Sequence, residues 1–182
     1  MDYFQLFGLE RRLSIDASQL QKTFYELSRE HHPDRFSLKP PQEQARAQQT
    51  SAFLNDAYRV LRDPIARAEF VLKQEGFDIG EQRTKDVPPE LLEEVFELNM
   101  ALEELRHGEE NVRRQLEEAL GKFLAMNRQI DAEIESLFPR WDDSRDRDVL
   151  LRIRGVLNRR RYVQNLIGEV EKELARAGQA AI

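Results

Sequence analysis

His32, Pro33 and Asp34 are the residues of this sequence whose types and spacing could do chemistry. An imidazole and a carboxylate this close together could bind a metal ion or act as a pair in acid–base catalysis. A metal site needs further ligands, but the adjacent His31 points in another direction at a helix end, and no other ligand is near in sequence. A catalytic pair needs a nucleophile and a pocket, and neither is evident. Taken alone, the three residues are most simply a helix end with a solvated aspartate.

Two predicted helices must position His32, Pro33 and Asp34, which are called the corner below. Asp16 predicts the start of the first, and residues 20–31 then place apolar side chains and His31 at steps of four, three and four, on one helix face. Pro33 ends this helix, because proline disfavours the helical conformation of the residue before it. A loop over 34–41 leads to the second helix, predicted from about residue 42 to residue 62. Shorter helices are predicted over 2–9 and over about 64–74.

The second half of the chain has a different pattern. Apolar residues alternate at steps of four and three in three long segments, which is typical of helices packed side by side. Pro139 is predicted to stop the second of these helices, and Ser144 to cap the third. Short connections make neighbouring helices antiparallel. The sequence therefore predicts an all-α protein with a helical domain over 1–76, a linker over 77–87 and an antiparallel three-helix bundle over 88–182.

The composition excludes several classes of protein. The chain has no cysteine, which excludes disulfides, thiolate metal sites and clusters held by its own thiolates. The formal net charge is −6, which argues against a general nucleic-acid binder. The N-terminus has no signal-peptide pattern, and no apolar run approaches the roughly 20 residues of a membrane span. We expect a cytoplasmic protein with no cofactor or bound metal and no contact with nucleic acid or membrane, and not an enzyme.

The first bundle helix has a second row of apolar residues beside the row by which it is predicted to pack in the bundle, which is called the seam below. Leu92, Phe96 and Met100 are four residues apart, and glutamates border them. One seam suffices to bury a bundle helix, so the extra row either packs on the N-terminal domain or awaits a partner.

Arginines cluster on the last predicted helix, at Arg152, Arg154 and residues 159–161. Binding to nucleic acid would need a basic face with aromatic support, and only Tyr162 is near. We therefore predict that these arginines pair with acidic residues of the neighbouring helix.

The surroundings of the corner carry a resemblance. Residues 31–36, the helix before them and residues 54–64 after them resemble the J domain of DnaJ-type co-chaperones. The resemblance implies a hairpin of the two longer helices with short flanking helices. It also implies that His32, Pro33 and Asp34 dock on the ATPase domain of a DnaK-class chaperone and trigger ATP hydrolysis there.

The physical chemistry of the corner suits such docking. Pro33 fixes one backbone dihedral, so the loop loses less entropy on binding, and Asp34 can form a charge-assisted hydrogen bond with a basic group. Lys22, Arg29 and Arg35 would make a basic strip for an acidic chaperone surface, although ordinary solvated charge explains each of them as well.

A narrower resemblance covers essentially the whole chain. Residues 1–9, 64–72 and 76–78 and the three-helix C-terminal domain are similar to the HscB (Hsc20) family. Its members bring an IscU-type iron–sulfur scaffold to an HscA-class chaperone. Their scaffold-binding patch would here comprise Leu92, Phe96, Glu97, Met100 and Glu104 on the first bundle helix and Tyr162 on the last. The chain departs from its relatives at Glu93, where they often have methionine, and at Met100, where they have an acidic residue.

Two alternatives remain from the sequence. One is a J-domain co-chaperone of the same architecture with a different client, which Glu93 and Met100 would suit. The other is a helical interaction or nucleic-acid-binding module in which His-Pro-Asp is incidental, which the arginine cluster would suit.

Overall fold

The computed structural model describes residues 2–77, 89–106 and 111–179, which form helices and turns without a strand. The predicted all-α fold is thereby confirmed. The α-helices are α1 (Tyr3–Leu6), α2 (Ala17–Glu30), α3 (Pro41–Arg62), α4 (Pro64–Gln74), α5 (Leu92–Arg106), α6 (Asn111–Ser144) and α7 (Arg147–Gln179), with short 3-10 helices at Pro33–Phe36 and Pro89–Leu91.

The ends of the first helices follow from neighbouring residues. The Asp16 side chain accepts hydrogen bonds from the first N–H groups of α2, and Asp63 does the same for α4. These bonds satisfy amide groups that have no partner inside the helix. Gly8 and Gly76 have positive φ after α1 and α4, where a residue with a Cβ would be strained. The predicted ends of these helices are confirmed to within a few residues.

The chain divides into two compact units. The first combines Met1–Asp78 with Leu137–Leu150, and the second combines Ile79–Ser136 with Leu151–Ile182. Phe77, the first residue of the predicted linker, is buried in the first unit, where the guanidinium of Arg147 lies 4.4 Å from its ring centroid. Residues 78–87 of that linker lie outside the described residues, and the domain boundaries stay predictions.

The hairpin of α2 and α3 forms the body of the first unit. Leu20 of α2 and Leu54 and Leu61 of α3 are fully buried. The rings of Phe24 and Tyr58 stack 4.0 Å apart across the two helices. This packing fixes the two helix ends from which the corner projects.

A buried polar cluster, called the clamp below, joins distant parts of the first unit. Asp142 accepts hydrogen bonds from the N–H groups of Leu13 (2.7 Å) and Ser14 (2.8 Å). Arg67 donates to the carbonyl oxygens of Leu13 (2.8 Å) and Leu61. Arg67 and Asp142 are the buried charged side chains among the described residues. The end of α6 is therefore bonded to the loop that precedes α2.

The prediction that Pro139 stops its helix is wrong, because α6 continues to Ser144. A proline inside a helix removes one backbone hydrogen bond. Phe138 and Trp141 on either side are buried in the first unit, and Asp142 is held by the clamp. Packing therefore outweighs the local preference of the proline.

The cap of α7 also lies two residues later than predicted. The Asp146 side chain accepts a hydrogen bond from the Asp148 N–H at 2.9 Å. The Ser144 hydroxyl instead donates to the carbonyl of Arg140 and accepts from the N–H of Asp146, the residue before the helix.

The second unit contains α5 with most of α6 and α7, as predicted for a three-helix bundle. Its buried side chains follow the predicted seams, with Leu98 and Leu102 on α5, Phe123 and Ile130 on α6, and Val163 on α7. None of the described helices is both long and apolar enough to span a membrane.

Candidate functional site

The corner begins where α2 ends. His32 has the extended backbone expected before a proline, and Pro33 opens the 3-10 helix Pro33–Phe36. Nδ1 of His32 accepts a hydrogen bond from the Asp34 N–H at 3.3 Å. A nitrogen that accepts this bond carries no proton, so the 3.5 Å approach of the Asp34 carboxylate to Nδ1 is an ion pair only for a protonated imidazole. His32 thus orients the backbone of Asp34, while the carboxylate points outward.

The exposure of the corner defines what it can do. The Asp34 side chain is 89% exposed, and that of His32 is more than half exposed. The described residues include no group of three side chains placed to hold a metal ion. An open, ordered corner with a charged tip suits docking to another protein better than chemistry on a small molecule.

The predicted basic strip lies along the exposed side of α2. Lys22 and Arg29 are exposed, seven residues apart on one helix face. Arg35 folds back, and its Nη1 donates to the carbonyl oxygen of Arg29 at 3.3 Å. The strip therefore runs along α2 and ends beside the corner.

Two exposed apolar residues near the corner were missed by the sequence analysis. Tyr25 is exposed on the same face of α2 as Lys22 and Arg29, a position that the spacing of three and four residues indicates. Leu38 follows the 3-10 helix and is almost fully exposed. No periodicity marks Leu38, so only its unusual place in a polar loop could have drawn notice.

The seam and the extra apolar row of α5 differ in solvent exposure. Leu91, Leu98 and Leu102 are buried. Leu92 is 55% and Phe96 65% exposed, and Met100 is about half exposed. The described part of α5 therefore presents an apolar stripe to solvent, called the α5 row below and consisting of Leu92, Phe96 and Met100.

An open groove lies beside the α5 row, between α5 and α6. Glu97 and Lys122 approach to 4.0 Å across it. One depression of about 330 Å³ includes Met100 and the buried Phe123 in its lining, and a second of about 430 Å³ includes Glu93 and Met126. Glu97 and Lys122 line both depressions, so their ion pair lies at the boundary between them.

The other predicted members of this patch differ in their surroundings. The side chain of Glu104 lies outside the described residues. Tyr162 is half-buried on α7. Burial and the negative charge of Glu169 raise the pKa of the Tyr162 hydroxyl above its usual value.

Three arginines of the cluster pair with acidic residues of α6, in agreement with the prediction. Arg159 binds Glu133 and Arg160 binds Asp131, while Arg152 lies 3.9 Å from Glu133. These ion pairs neutralise part of the positive charge of the cluster, which weakens the argument for a nucleic-acid-binding module.

Comparison with known protein families identifies both parts of the chain. The DnaJ domain matches residues 2–70, and the HSCB C-terminal oligomerisation domain matches residues 87–171. A DnaJ domain with an ordered His-Pro-Asp corner, followed by a helical C-terminal domain, defines a J-domain co-chaperone.

Relatives that match most of the chain show which family of J-domain co-chaperones it belongs to. A co-chaperone protein HscB homolog of Vibrio vulnificus is 40% identical over 154 residues, covering 81% of this chain and 86% of the relative. The homolog of Vibrio atlanticus is 38% identical over 156 residues, with the same coverage. The chain belongs to the HscB family of co-chaperones, which serve iron–sulfur cluster assembly.

Solved structures agree with this assignment. Chaperone HscB from Vibrio cholerae superposes with a TM-score of 0.66 at 28% identity, covering 94% of this chain and 96% of that one. The human co-chaperone protein HscB superposes with a TM-score of 0.71 at 26% identity, covering 95% and 82%.

Proposed function

We propose that the corner docks on a DnaK/HscA-class chaperone and stimulates ATP hydrolysis by that chaperone. His32, Pro33 and Asp34 act as the trigger, and Lys22, Arg29 and Arg35 guide the encounter. The observation that carries this proposal is the outward carboxylate of Asp34 on a hydrogen-bonded 3-10 turn. A loop already in its binding conformation loses little entropy when it docks.

Each trigger residue has a distinct task. Asp34 supplies a charged acceptor for a basic group of the chaperone. His32 holds the Asp34 N–H through Nδ1 and thereby fixes the direction of the carboxylate. Pro33 restricts the backbone between them. The reaction takes place on the chaperone, so this chain acts as an activator rather than as an enzyme.

Steady-state ATP turnover by a purified HscA-class chaperone tests this proposal. His32→Gln and Asp34→Asn should each reduce stimulation at least about tenfold. Asp34→Asn removes the charge of a hydrogen bond worth roughly 1.5–3 kcal/mol, and His32→Gln removes the imidazole that orients the Asp34 backbone. His31→Gln and Asp56→Asn are matched controls, since they make the same changes at a neighbouring histidine and at an exposed aspartate of α3. Undiminished stimulation by His32→Gln and Asp34→Asn would contradict the proposal.

We infer further that the α5 row binds an IscU-type iron–sulfur scaffold and delivers it to the chaperone. Apolar side chains beside a charged groove are the composition of a protein-binding patch. Leu92, Phe96 and Met100 supply the apolar centre, and Glu97 lies at its border. Glu104 and Tyr162 belong to the proposed patch on the family resemblance. The cluster itself would travel on the scaffold, because this chain has no cysteine to hold it.

Loss of apolar area provides the test of this second part. Full burial of three such side chains is worth about 6 kcal/mol before the cost of association, so two of them should matter strongly. Leu92→Ala with Phe96→Ala should weaken scaffold binding in isothermal titration at least about thirtyfold, while His32-dependent ATPase stimulation without scaffold stays intact. The control is Leu124→Ala with Leu151→Ala, which truncates two exposed leucines of α6 and α7. Equal scaffold affinity of the double variant and wild type would refute the patch.

A different client remains the second candidate, because Glu93 and Met100 depart from the family pattern and both are exposed. Glu93→Met distinguishes the two. Tighter binding of the IscU-type scaffold by this variant supports the scaffold as client, whereas a wild-type chain that binds no scaffold supports another.

A further inference from the structure

One apolar side chain beside the corner has no protein cover. Leu38 lies four residues after Asp34 and is 99% exposed, more than any other large apolar side chain that the structure describes. Single exposed leucines are ordinary on protein surfaces. The backbone around Leu38 is what sets it apart.

The turn that carries Leu38 is held on both sides. Nε2 of Gln44, in the first turn of α3, donates to the carbonyl oxygens of Ser37 (3.1 Å) and Lys39 (2.8 Å), the two neighbours of Leu38. The Lys39 N–H also donates to the carbonyl oxygen of Phe36 at 2.9 Å. An exposed side chain on an ordered turn loses less entropy on binding than one on a free loop.

This turn continues the corner directly. The N–H of Ser37 donates to the carbonyl oxygen of Asp34 at 3.3 Å, so one hydrogen-bonded turn connects the trigger residue to the base of Leu38. Arg35 and Lys39 are exposed on either side of it. A surface that fits an apolar side chain between two cations is an apolar depression bordered by acidic groups.

We propose that Leu38, held by Gln44, is an apolar contact to the same Hsp70-type chaperone that receives Asp34. This inference rests on the chaperone partner proposed above, and it adds a residue that neither the His-Pro-Asp motif nor the basic strip includes. Leu38 adds affinity and does not take part in the trigger, because its turn meets Asp34 only through the backbone. It therefore sets the co-chaperone concentration that is needed and leaves the maximal rate unchanged.

The experiment is a titration of the full chain into a purified HscA-class chaperone with ATP turnover as readout. Leu38→Ser should raise the concentration for half-maximal stimulation about three- to tenfold, since most of the apolar contact is lost. Leu38→Met should restore nearly the wild-type value. Gln44→Ala, which keeps Leu38 but releases its turn, should raise the concentration about two- to threefold. Leu151→Ser, at an exposed leucine of α7, is the matched control and should change nothing.

The outcomes separate this inference from the proposed function. If Leu38→Ser matches wild type while His32→Gln is inactive, the inference is overturned and the proposed function stands. If Leu38→Ser lowers the maximal rate instead, Leu38 belongs to the trigger and the inference is also wrong. If Leu38→Ser changes the sedimentation coefficient but not the half-maximal concentration, Leu38 contacts a second copy of the chain. If the wild-type chain stimulates nothing, both proposals fail together.

Discussion

The corner exposes the carboxylate of Asp34, whereas the clamp buries that of Asp142 in the same unit. The carboxylate of Asp34 is exposed, and this residue is held by its backbone: the N–H donates to Nδ1 of His32, and the carbonyl oxygen accepts from the N–H of Ser37. Both oxygens of Asp142 accept backbone N–H groups. A buried carboxylate must be satisfied within the fold, whereas an exposed one on an ordered turn is available to a partner. The contrast assigns Asp142 to stability and Asp34 to function, and it can be tested by variants that should move one property without the other.

The largest expected effect is at Arg67. Arg67→Met removes the donor of two buried carbonyl oxygens, those of Leu13 and Leu61, so the free energy of unfolding of the first unit should fall by about 2–4 kcal/mol. Urea unfolding followed by tryptophan fluorescence measures it, because Trp141 is the single tryptophan and is buried in this unit. Maximal ATPase stimulation by the folded variant should equal that of wild type.

Arg147 supplies the matched control for Arg67. The guanidinium of Arg67 lies 5.8 Å from the ring centroid of Phe138. That of Arg147 likewise lies over a phenylalanine ring and donates to a backbone carbonyl, that of Glu75, but it is exposed. Arg147→Met should change stability by less than about 0.5 kcal/mol. Equal effects of the two substitutions would show that burial does not set the energy of the clamp.

A smaller loss is expected at Asp142. Asp142→Asn replaces one acceptor oxygen by an NH₂ group that faces a backbone N–H, so stability should fall by about 1–3 kcal/mol in the same fluorescence measurement. Asp143→Asn makes the identical change at the next, exposed residue and should have almost no effect. Asp34→Asn should show the reverse behaviour of Asp142→Asn, with stability kept and chaperone stimulation lost. If a clamp variant lost chaperone stimulation while fully folded, the assignment of the clamp to stability and of the corner to function would be wrong.

The sequence predicts the corner far better than it predicts the clamp. The corner and the helices α2, α3 and α4 depend on residues close in sequence, such as Asp16, Asp63 and Pro33, whose caps and steric limits act locally. The α5 row was likewise evident from its spacing beside the seam. Local chemistry of this kind can be read without knowing the fold.

The clamp depends on contacts over long separations. Asp142 meets Leu13 across 129 residues, and Arg67 meets Leu13 across 54. Arginine and aspartate are seldom buried, so nothing in their identity predicts the clamp. The prediction that Pro139 stops its helix is wrong for the same reason. The steric preference of proline acts locally, whereas packing against residues distant in sequence continues α6. The apolar Trp141 after Pro139 was the one signal that the helix remained in contact with a core.

Tyr162 is intermediate in burial between the exposed Asp34 and the buried Asp142, and its substitution has the smallest expected effect on stability. It is half-buried, and burial, with a smaller contribution from the charge of Glu169, raises the pKa of its hydroxyl above 10. The folded chain then holds its phenolic proton at a pH where the unfolded chain releases it. Stability is therefore complete below about pH 10, the usual tyrosine pKa, and falls as the pH rises from there through the raised pKa.

Tyr162→Phe removes this dependence and gives the measurement. The free energy of unfolding of wild type, followed by circular dichroism, should decline more steeply than that of the variant as the pH rises past about 10, the usual tyrosine pKa. Below about pH 9 the difference between the two should be constant. Tyr25→Phe, which makes the identical change at an exposed tyrosine of α2, is the control. Parallel curves for wild type and Tyr162→Phe would mean that the hydroxyl is solvated in the folded chain, which would place Tyr162 with the exposed residues that can meet a partner.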